Sequence, residues 1–119
     1  MPTPIYQVKA EFFKTLGHPA RIRVLEVLRE GERTVSELLP EIGIEASHLS
    51  QQLAVLRRAG LVQARKEGTN VVYSVADPAI YELLDAARRI LTTSLSETRA
   101  LLAELETTGA VTAPSGDKR

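Results

Sequence analysis

The side chains best suited to reading another molecule form one short polar run in the middle of the chain. Between positions 47 and 52 only a leucine interrupts hydroxyl, imidazole and amide groups. Such groups make directional hydrogen bonds without a fixed charge. On a helix in the major groove of DNA, glutamine pairs an adenine edge bidentately and serine serves either partner. The candidates for base reading are therefore Ser47, His48, Ser50, Gln51 and Gln52, although Gln52 alternatively turns towards the body of the protein.

Cations follow this polar run. From position 47 to 70 four arginines and lysines stand against Glu67 alone, whereas acidic residues dominate positions 77–106. The formal net charge of zero therefore conceals a basic part that can meet phosphates and an acidic part that faces elsewhere. Arg57 and Arg58 end the polar segment, and phosphate contacts there position a protein without specifying a sequence. The candidates for the DNA backbone are Arg57, Arg65, Lys66, Thr69 and Asn70.

Apolar spacing predicts the elements that position these groups. Steps of three and four predict helices, and two short β-branched stretches around a glycine-bearing tip predict a hairpin. A capping box at Thr34 and Glu37 opens a short third helix, which ends near Gly43. The predicted helices cover about residues 5–16, 19–29, 34–42, 45–58 and 77–106, and the predicted strands cover 61–65 and 71–75.

This order of elements predicts a mainly α fold with a small β-hairpin, the winged helix-turn-helix. The third and fourth helices would form the helix-turn-helix, the hairpin the wing, and the last helix a dimer contact. Along that helix Leu84, Ala87, Leu91, Leu95, Thr98, Leu102 and Leu105 form a seam of the coiled-coil kind. We expect its exposed apolar stripe to be buried against a partner, and a second copy of the chain is the simplest partner. We expect one domain over residues 1–106 and a flexible tail over 107–119.

Composition excludes several classes of function. Hydrophobic residues make up 44% and charged residues 25% of the chain, as in ordinary globular proteins. Neither a membrane-spanning run nor a signal peptide is recognisable, so we expect a cytoplasmic protein with no membrane partner. The chain has no cysteine, which excludes disulfides, thiolate metal sites and thiol switches. No nucleophile elbow, phosphate loop or ligand cluster indicates an enzyme or a cofactor.

Four motifs resemble those of the ArsR/SmtB family of bacterial winged-helix repressors. They are LGHPARI at 16–22, SHLSQQLAVLRRAGLV at 47–62, RKEG at 65–68 and VYSV at 72–75. The likeness covers about residues 8–91. It implies operator binding through the fourth helix and wing, repression relieved by a signal, and a homodimer built from the first and last helices. The implied interface comprises Ile5, Phe12, Leu84, Ala87, Leu91, Leu95 and Leu102.

The metal-binding residues of that family are mostly missing. Where metal-sensing members carry Cys-x-Cys in the third helix, this chain has Thr34 and Ser36. The other usual site, across the paired last helices, corresponds to Asp77, Ala79, Ile90 and Thr93. One ligand of four does not make a site, and we predict no metal at these positions.

The sequence therefore predicts a homodimeric repressor that binds an inverted-repeat DNA operator without a metal or cofactor. Two alternatives stay open. One is a winged-helix regulator controlled by an unidentified ligand or by a metal at an atypical site. The other is a protein-interaction module, against which stands the polar character of the fourth helix, because protein-binding faces are enriched in aromatic residues and methionine.

Overall fold

The computed structural model describes residues 2–108. Within that range the chain forms five helices and three strands, which in order are α1 (Ile5–Leu16), α2 (Pro19–Leu28), β1 (Arg33–Thr34), α3 (Val35–Ile42), α4 (Ala46–Arg58), β2 (Val62–Glu67), β3 (Asn70–Val75) and α5 (Ile80–Thr108). They divide into two compact units, of which the first ends at Ile80 and the second begins at Tyr81. The predicted helices and hairpin are all present, and the mainly α winged helix-turn-helix fold is confirmed.

Two helices begin at side chains that accept backbone N–H groups. His18 precedes α2, and its Nδ1 accepts a hydrogen bond from Ala20 N at 3.1 Å. At the start of α3, Thr34 Oγ1 accepts from Glu37 N at 3.3 Å, and the Glu37 carboxylate accepts from Thr34 N at 2.8 Å. This is the predicted capping box. The hydrogen bonds from Thr34 also hold the pKa of Glu37 below its ordinary value.

The centre of the first unit is filled mainly by leucines from three helices that pack on one another, α2, α3 and α4, together with Val24 of α2. Leu49, Leu53 and Leu56 lie on one side of α4 and are fully buried, as their spacing predicts. Leu25 of α2 and Leu38 of α3 complete the cluster. Burying one such side chain contributes about 1.5–3 kcal/mol. The inner face of α4 is therefore firmly held, and its outer face remains for polar groups.

The sheet has three antiparallel strands in the order β1–β3–β2, one more than the sequence predicts. The additional strand, β1, pairs Arg33 with Tyr73 and Thr34 with Val72. Two residues are too few to show the alternation by which a strand is recognised in a sequence. Pairing with β1 makes β3 the central strand and ties the wing to the start of α3.

The hairpin of β2 and β3 is closed by two residues. Pairing extends as far as Glu67 opposite Asn70, so that Gly68 and Thr69 form the turn. Gly68 has φ 65°, in the left-handed region that glycine adopts readily and that such turns require. The turn is tighter than the five residues, 66–70, that separate the predicted strands, because Lys66, Glu67 and Asn70 belong to the strands.

Within the described residues, the second unit consists of α5 from Tyr81 onwards. The helix has 29 residues, which at 1.5 Å per residue corresponds to about 44 Å. It begins three residues later than predicted because Asp77 Oδ1 accepts from Ala79 N at 2.9 Å and forms a turn before it. Large apolar side chains are exposed along it, namely Ile90, Leu91, Leu95, Leu101 and Leu102.

The expected division into a domain over 1–106 and a tail over 107–119 stays a prediction. The helix α5 continues to Thr108, and residues 109–119 lie outside the described residues. Across residues 2–108, none of the helices has both the length and the apolar character needed to cross a bilayer.

Candidate nucleic-acid interface

The outer face of α4 carries four of the five residues predicted to read bases. The preceding helix ends at Gly43, whose φ of 77° turns the chain into α4. Because the leucines of α4 face the core, the opposite side of the helix faces solvent. The exposed polar residues of this face, called the reading face below, are Ser47, His48, Ser50 and Gln51. A helix that enters a groove with its N-terminal half needs such a face.

Gln52 does not belong to the reading face. Its side chain is 7% exposed, and its Oε1 accepts a hydrogen bond from Arg21 Nε at 2.7 Å. Successive residues of an α-helix are about 100° apart, so Gln52 points inward where Gln51 points outward. Its place among the base-reading candidates is thereby corrected, in favour of the alternative that it turns towards the body.

The two histidines of the chain lie side by side although 30 positions separate them. The ring centroids of His18 and His48 are 6.0 Å apart, and the rings meet edge to face at 82°. His18 is half-buried at the start of α2, and His48 is exposed on the reading face. Nothing in the spacing of the sequence indicates this contact, which arises because α2 packs on α4.

An open groove of about 470 Å³ adjoins the reading face. It is lined by Ser50, Ala54, Arg57 and Arg58 of α4 and by Tyr73 of β3. Two guanidinium groups and two hydroxyl groups can donate hydrogen bonds there, which is the chemistry that a DNA phosphate accepts. Arg57 is a predicted phosphate contact. Tyr73 is a residue that the sequence analysis misses, since its place beside α4 depends on how the sheet packs against the helix.

On the wing, Arg65 is bound to two carboxylates of its own chain. Its Nη2 lies 2.9 Å from Glu32 Oε1 and 2.7 Å from Glu67 Oε2, and its Nη1 also contacts Glu32. These ion pairs raise the pKa of Arg65, and the hydrogen bond from Arg65 holds the pKa of Glu32 below its ordinary value. The charge of Arg65, one of the cations predicted to meet DNA, is therefore balanced by carboxylates of its own chain, whereas Lys66, Thr69 and Asn70 are exposed at the wing tip.

Comparisons with known proteins connect this geometry to a family. The sequence model of bacterial regulatory proteins of the arsR family matches residues 18–64, from the cap of α2 into β2. The HTH-type transcriptional regulator Rv0081 of Mycobacterium tuberculosis is 56% identical over 110 residues, which cover 92% of this chain and 96% of the relative. The chain belongs to the ArsR family.

A further relative and two solved structures agree with this assignment. The biofilm growth-associated repressor of Agrobacterium fabrum is 38% identical over 90 residues, 72% of this chain and 77% of the relative. The crystal structure of Rv0081 matches with a TM-score of 0.75 and 57% identity over 82% of this chain and 98% of that chain. A homodimeric winged helix-turn-helix DNA-binding domain from Mycobacterium bovis matches with a TM-score of 0.69 and 28% identity, over 78% and 86%. This ArsR-family protein is thus a DNA-binding transcriptional regulator.

The positions that correspond to the usual metal sites of the ArsR family do not fit a metal here. Thr34 Oγ1 and Ser36 Oγ lie 3.1 Å apart and share a hydrogen bond, and Thr34 also caps α3. Neutral hydroxyls are poor substitutes for the thiolates that bind soft metals. Asp77 already accepts the N–H of Ala79. Over residues 2–108, no three residues of the types His, Cys, Asp and Glu come together as ligands for an ion.

Proposed function

We propose that this ArsR-family protein is a homodimeric repressor that binds an inverted-repeat operator in the cytoplasm. One observation carries the proposal. The exposed polar reading face of α4 lies next to a groove lined by Arg57 and Arg58. Groups suited to base edges and groups suited to phosphates therefore stand on one helix. The name of the Agrobacterium fabrum relative, a repressor, supports the direction of regulation.

The roles divide by chemistry. Ser47, His48, Ser50 and Gln51 contact base edges in the major groove and select the sequence. Arg57 and Lys66 bind phosphates and position the protein, with Thr69 and Asn70 beside Lys66 at the wing tip. Arg65 contributes fully only when its ion pairs with Glu32 and Glu67 open.

The dimer would be built from apolar residues of α1 and α5. In α1, Ile5 is 67% exposed and Phe12 is half-buried; in α5, Leu91, Leu95 and Leu102 are each more than half exposed. Leu84 and Ala87 extend the apolar stripe of α5 towards the start of that helix. A two-fold dimer places two copies of α4 on half-sites about 34–36 Å apart, or a multiple of that distance. Such a dimer requires an operator of matching two-fold symmetry, and the homodimeric relative from Mycobacterium bovis supports this arrangement.

Repression by this protein would not depend on metal at the positions usual for the family. Thr34 and Ser36 hydrogen-bond to one another, and the carboxylate of Asp77 is engaged in a turn. A signal that relieved repression would therefore have to act on another part of the dimer.

The test is a titration of the purified protein against labelled DNA from upstream of its own gene, with a shuffled fragment of equal length as control. We expect the native fragment to bind about 10³-fold or more tightly than the shuffled one. The logarithm of the affinity should fall linearly with the logarithm of salt concentration, by about 0.9 per phosphate contact. Added zinc or a chelator should leave both affinities unchanged.

Each part of the proposal can fail separately. Equal affinity for the two fragments would contradict sequence-specific binding. One chain per bound fragment, measured by analytical ultracentrifugation, would contradict the homodimer. A dependence of affinity on zinc or chelator would contradict the metal-independent mechanism while leaving DNA binding intact.

A further inference from the structure

Two polar contacts, one helical turn apart, join α2 to the recognition helix α4. The first is the edge-to-face contact of His18 with His48, and the second is the hydrogen bond from Arg21 to Gln52. His18, the cap of α2, and Arg21 in its first turn are three positions apart, and their partners on α4 are four apart, so each pair of neighbours lies on one side of its helix. Two contacts along its length restrain a helix against turning about its axis and against pivoting about either contact.

The contact with Gln52 selects the rotation of α4. Gln52 is the buried polar side chain among residues 2–108, and a buried amide without a partner is strongly unfavourable. The hydrogen bond from the Arg21 guanidinium is charge-assisted and short, 2.7 Å between Nε and Oε1. Since the pairing is satisfied only with Gln52 inward, it also keeps the neighbouring Gln51 on the outer face.

Arg21 extends the connection to α1. Its Nη1 donates a hydrogen bond to the carbonyl of Thr15 at 3.0 Å. Thr15 lies in the last turn of α1, where backbone carbonyls have no partner within the helix. One half-buried guanidinium therefore holds the end of α1, a helix of the proposed dimer interface, and the inner face of α4.

His18 provides a fixed surface for His48. Its Nδ1 accepts the N–H of Ala20, which leaves Nε2 as the nitrogen that carries the proton in the neutral ring. The hydrogen bond fixes the orientation of a half-buried ring, and the exposed ring of His48 packs against it. A side chain on the reading face is thus oriented by a residue of another helix.

We propose that Arg21 and His18 are positioning residues for sequence reading: they set the rotation of α4 and the orientation of His48 without touching DNA. The proposal rests on the proposed function, because it assigns to α4 the reading of bases. It implies that selectivity for the operator depends on Arg21 of α2 and on the residue that caps this helix, His18, both outside the reading face.

The first test compares Arg21→Ala with Arg23→Ala. Both substitutions remove one cation from α2, but Arg23 lies on the surface and pairs with Glu26 at 3.7 Å and with Glu41 at 3.5 Å. We expect Arg21→Ala to weaken operator binding by about tenfold or more, as the loss of a base contact does. Binding to shuffled DNA and the salt dependence should not change, and Arg23→Ala should have little effect.

Two outcomes of this titration overturn the proposal. If Arg21→Ala and Arg23→Ala bind the operator with the same affinity, the positioning role of Arg21 is wrong. If Arg21→Ala weakens shuffled DNA equally and lowers the salt slope by about 0.9, Arg21 contacts a phosphate instead. Gln52→Met serves as a second variant, because an apolar side chain of similar length keeps the helix packed while removing the acceptor. It should also lose selectivity, though by no more than Arg21→Ala, because Arg21 keeps its hydrogen bond to Thr15; the double variant should lose no more than Arg21→Ala alone.

The second test needs no DNA and separates this proposal from the proposed function. The chain has two histidines, so the imidazole proton signals in an NMR spectrum are few and can be assigned by substitution. Arg21→Ala should shift the signal of His48, as should His18→Asn, which keeps a capping side chain; Arg23→Ala should not. An unmoved His48 signal in folded Arg21→Ala and His18→Asn contradicts the positioning role. A shifted signal in a protein that binds no operator supports the positioning role and overturns only the proposed function.

Discussion

The recognition helix and the wing are both proposed to contact DNA, but they are built in opposite ways. The helix α4 rests on fully buried leucines and presents neutral polar groups in fixed directions. The wing is exposed from Arg65 to Asn70, and Arg65 is bound to Glu32 and Glu67. Neutral groups held in place discriminate between bases, whereas charges on an exposed hairpin change attraction to any phosphate. Selectivity should therefore reside in α4, and adjustable affinity in the wing.

Among substitutions in α4 and the wing, Gln51→Ala should change base discrimination the most. Losing a bidentate base contact should cost about 1–3 kcal/mol of discrimination and relax the preference at one base pair of each half-site. The stability of the free protein should hardly change, because Gln51 is exposed. The measurement is a titration against operators that carry each of the four base pairs at every position in turn.

Gln63→Ala is the matched control, since it removes the same side chain from an exposed position on β2. It should leave the base preference as it is in the unmodified protein. If Gln51→Ala also leaves the preference at every position unchanged, Gln51 is not a reading residue, and the division of roles between helix and wing loses its first support.

The same contrast explains how much of the molecule can be predicted from its sequence. The placement of α4 follows from Leu49, Leu53 and Leu56, because a helical period in apolar residues states directly which face is buried. The approximate outward direction of Ser50 and Gln51 follows from that pattern, whereas the exact rotation of α4 also depends on the contact of Gln52 with Arg21. Local signals of this kind also predict the capping box and the hairpin.

Contacts between residues distant in the chain could not be predicted in this way. Arg65 has a charge pattern suited to DNA, yet its partner Glu32 lies 33 positions earlier and reaches it only in the folded sheet. The inward turn of Gln52 depends on Arg21, 31 positions away. In both cases the residue type suggests a contact with DNA, and the fold provides an internal partner instead. Composition indicates what a side chain can bind, whereas packing decides what it binds.

A smaller effect, of a different kind, is expected from Lys66→Ala on the wing. Because Lys66 is exposed and proposed to bind a phosphate, its loss should weaken operator and shuffled DNA about equally. The salt slope should fall by about 0.9, the contribution of one phosphate contact. Titrations of both fragments over a range of salt concentrations measure both quantities.

Two controls accompany this substitution. Lys66→Arg keeps the charge and should keep the slope, whereas Lys14→Ala removes a cation from the exposed surface of α1 and should leave the slope unchanged. If Lys66→Ala changed the ratio of operator affinity to shuffled affinity, the wing would take part in sequence selection. That result would contradict the division of roles between α4 and the wing.

The smallest effect is expected from Glu32→Gln, which removes one of the two carboxylates that bind Arg65. A partly released guanidinium should strengthen binding to all DNA and steepen the salt slope, by at most about 0.9. Glu30→Gln is the control: it makes the same change of charge in the same loop, but Glu30 pairs with Arg33 at 3.7 Å. Equal gains in the two variants would mean that net charge alone matters, and the ion pairs of Arg65 would have no part in setting affinity.

The ion pair between Glu32 and Arg65 also makes the free energy of unfolding depend on pH. Arg65 lowers the pKa of Glu32 in the folded protein, so the pairing stabilises the fold at every pH above the ordinary glutamate value of about 4.3. That stabilisation is lost as the pH falls through the lowered folded value. The difference in unfolding free energy between the unmodified protein and Glu32→Gln should therefore stay constant from about pH 8 to 5 and vanish in stronger acid. Chemical denaturation from pH 8 into acid measures this difference in unfolding free energy. A difference that changed near neutral pH would show that a group other than Glu32 determines the pH dependence.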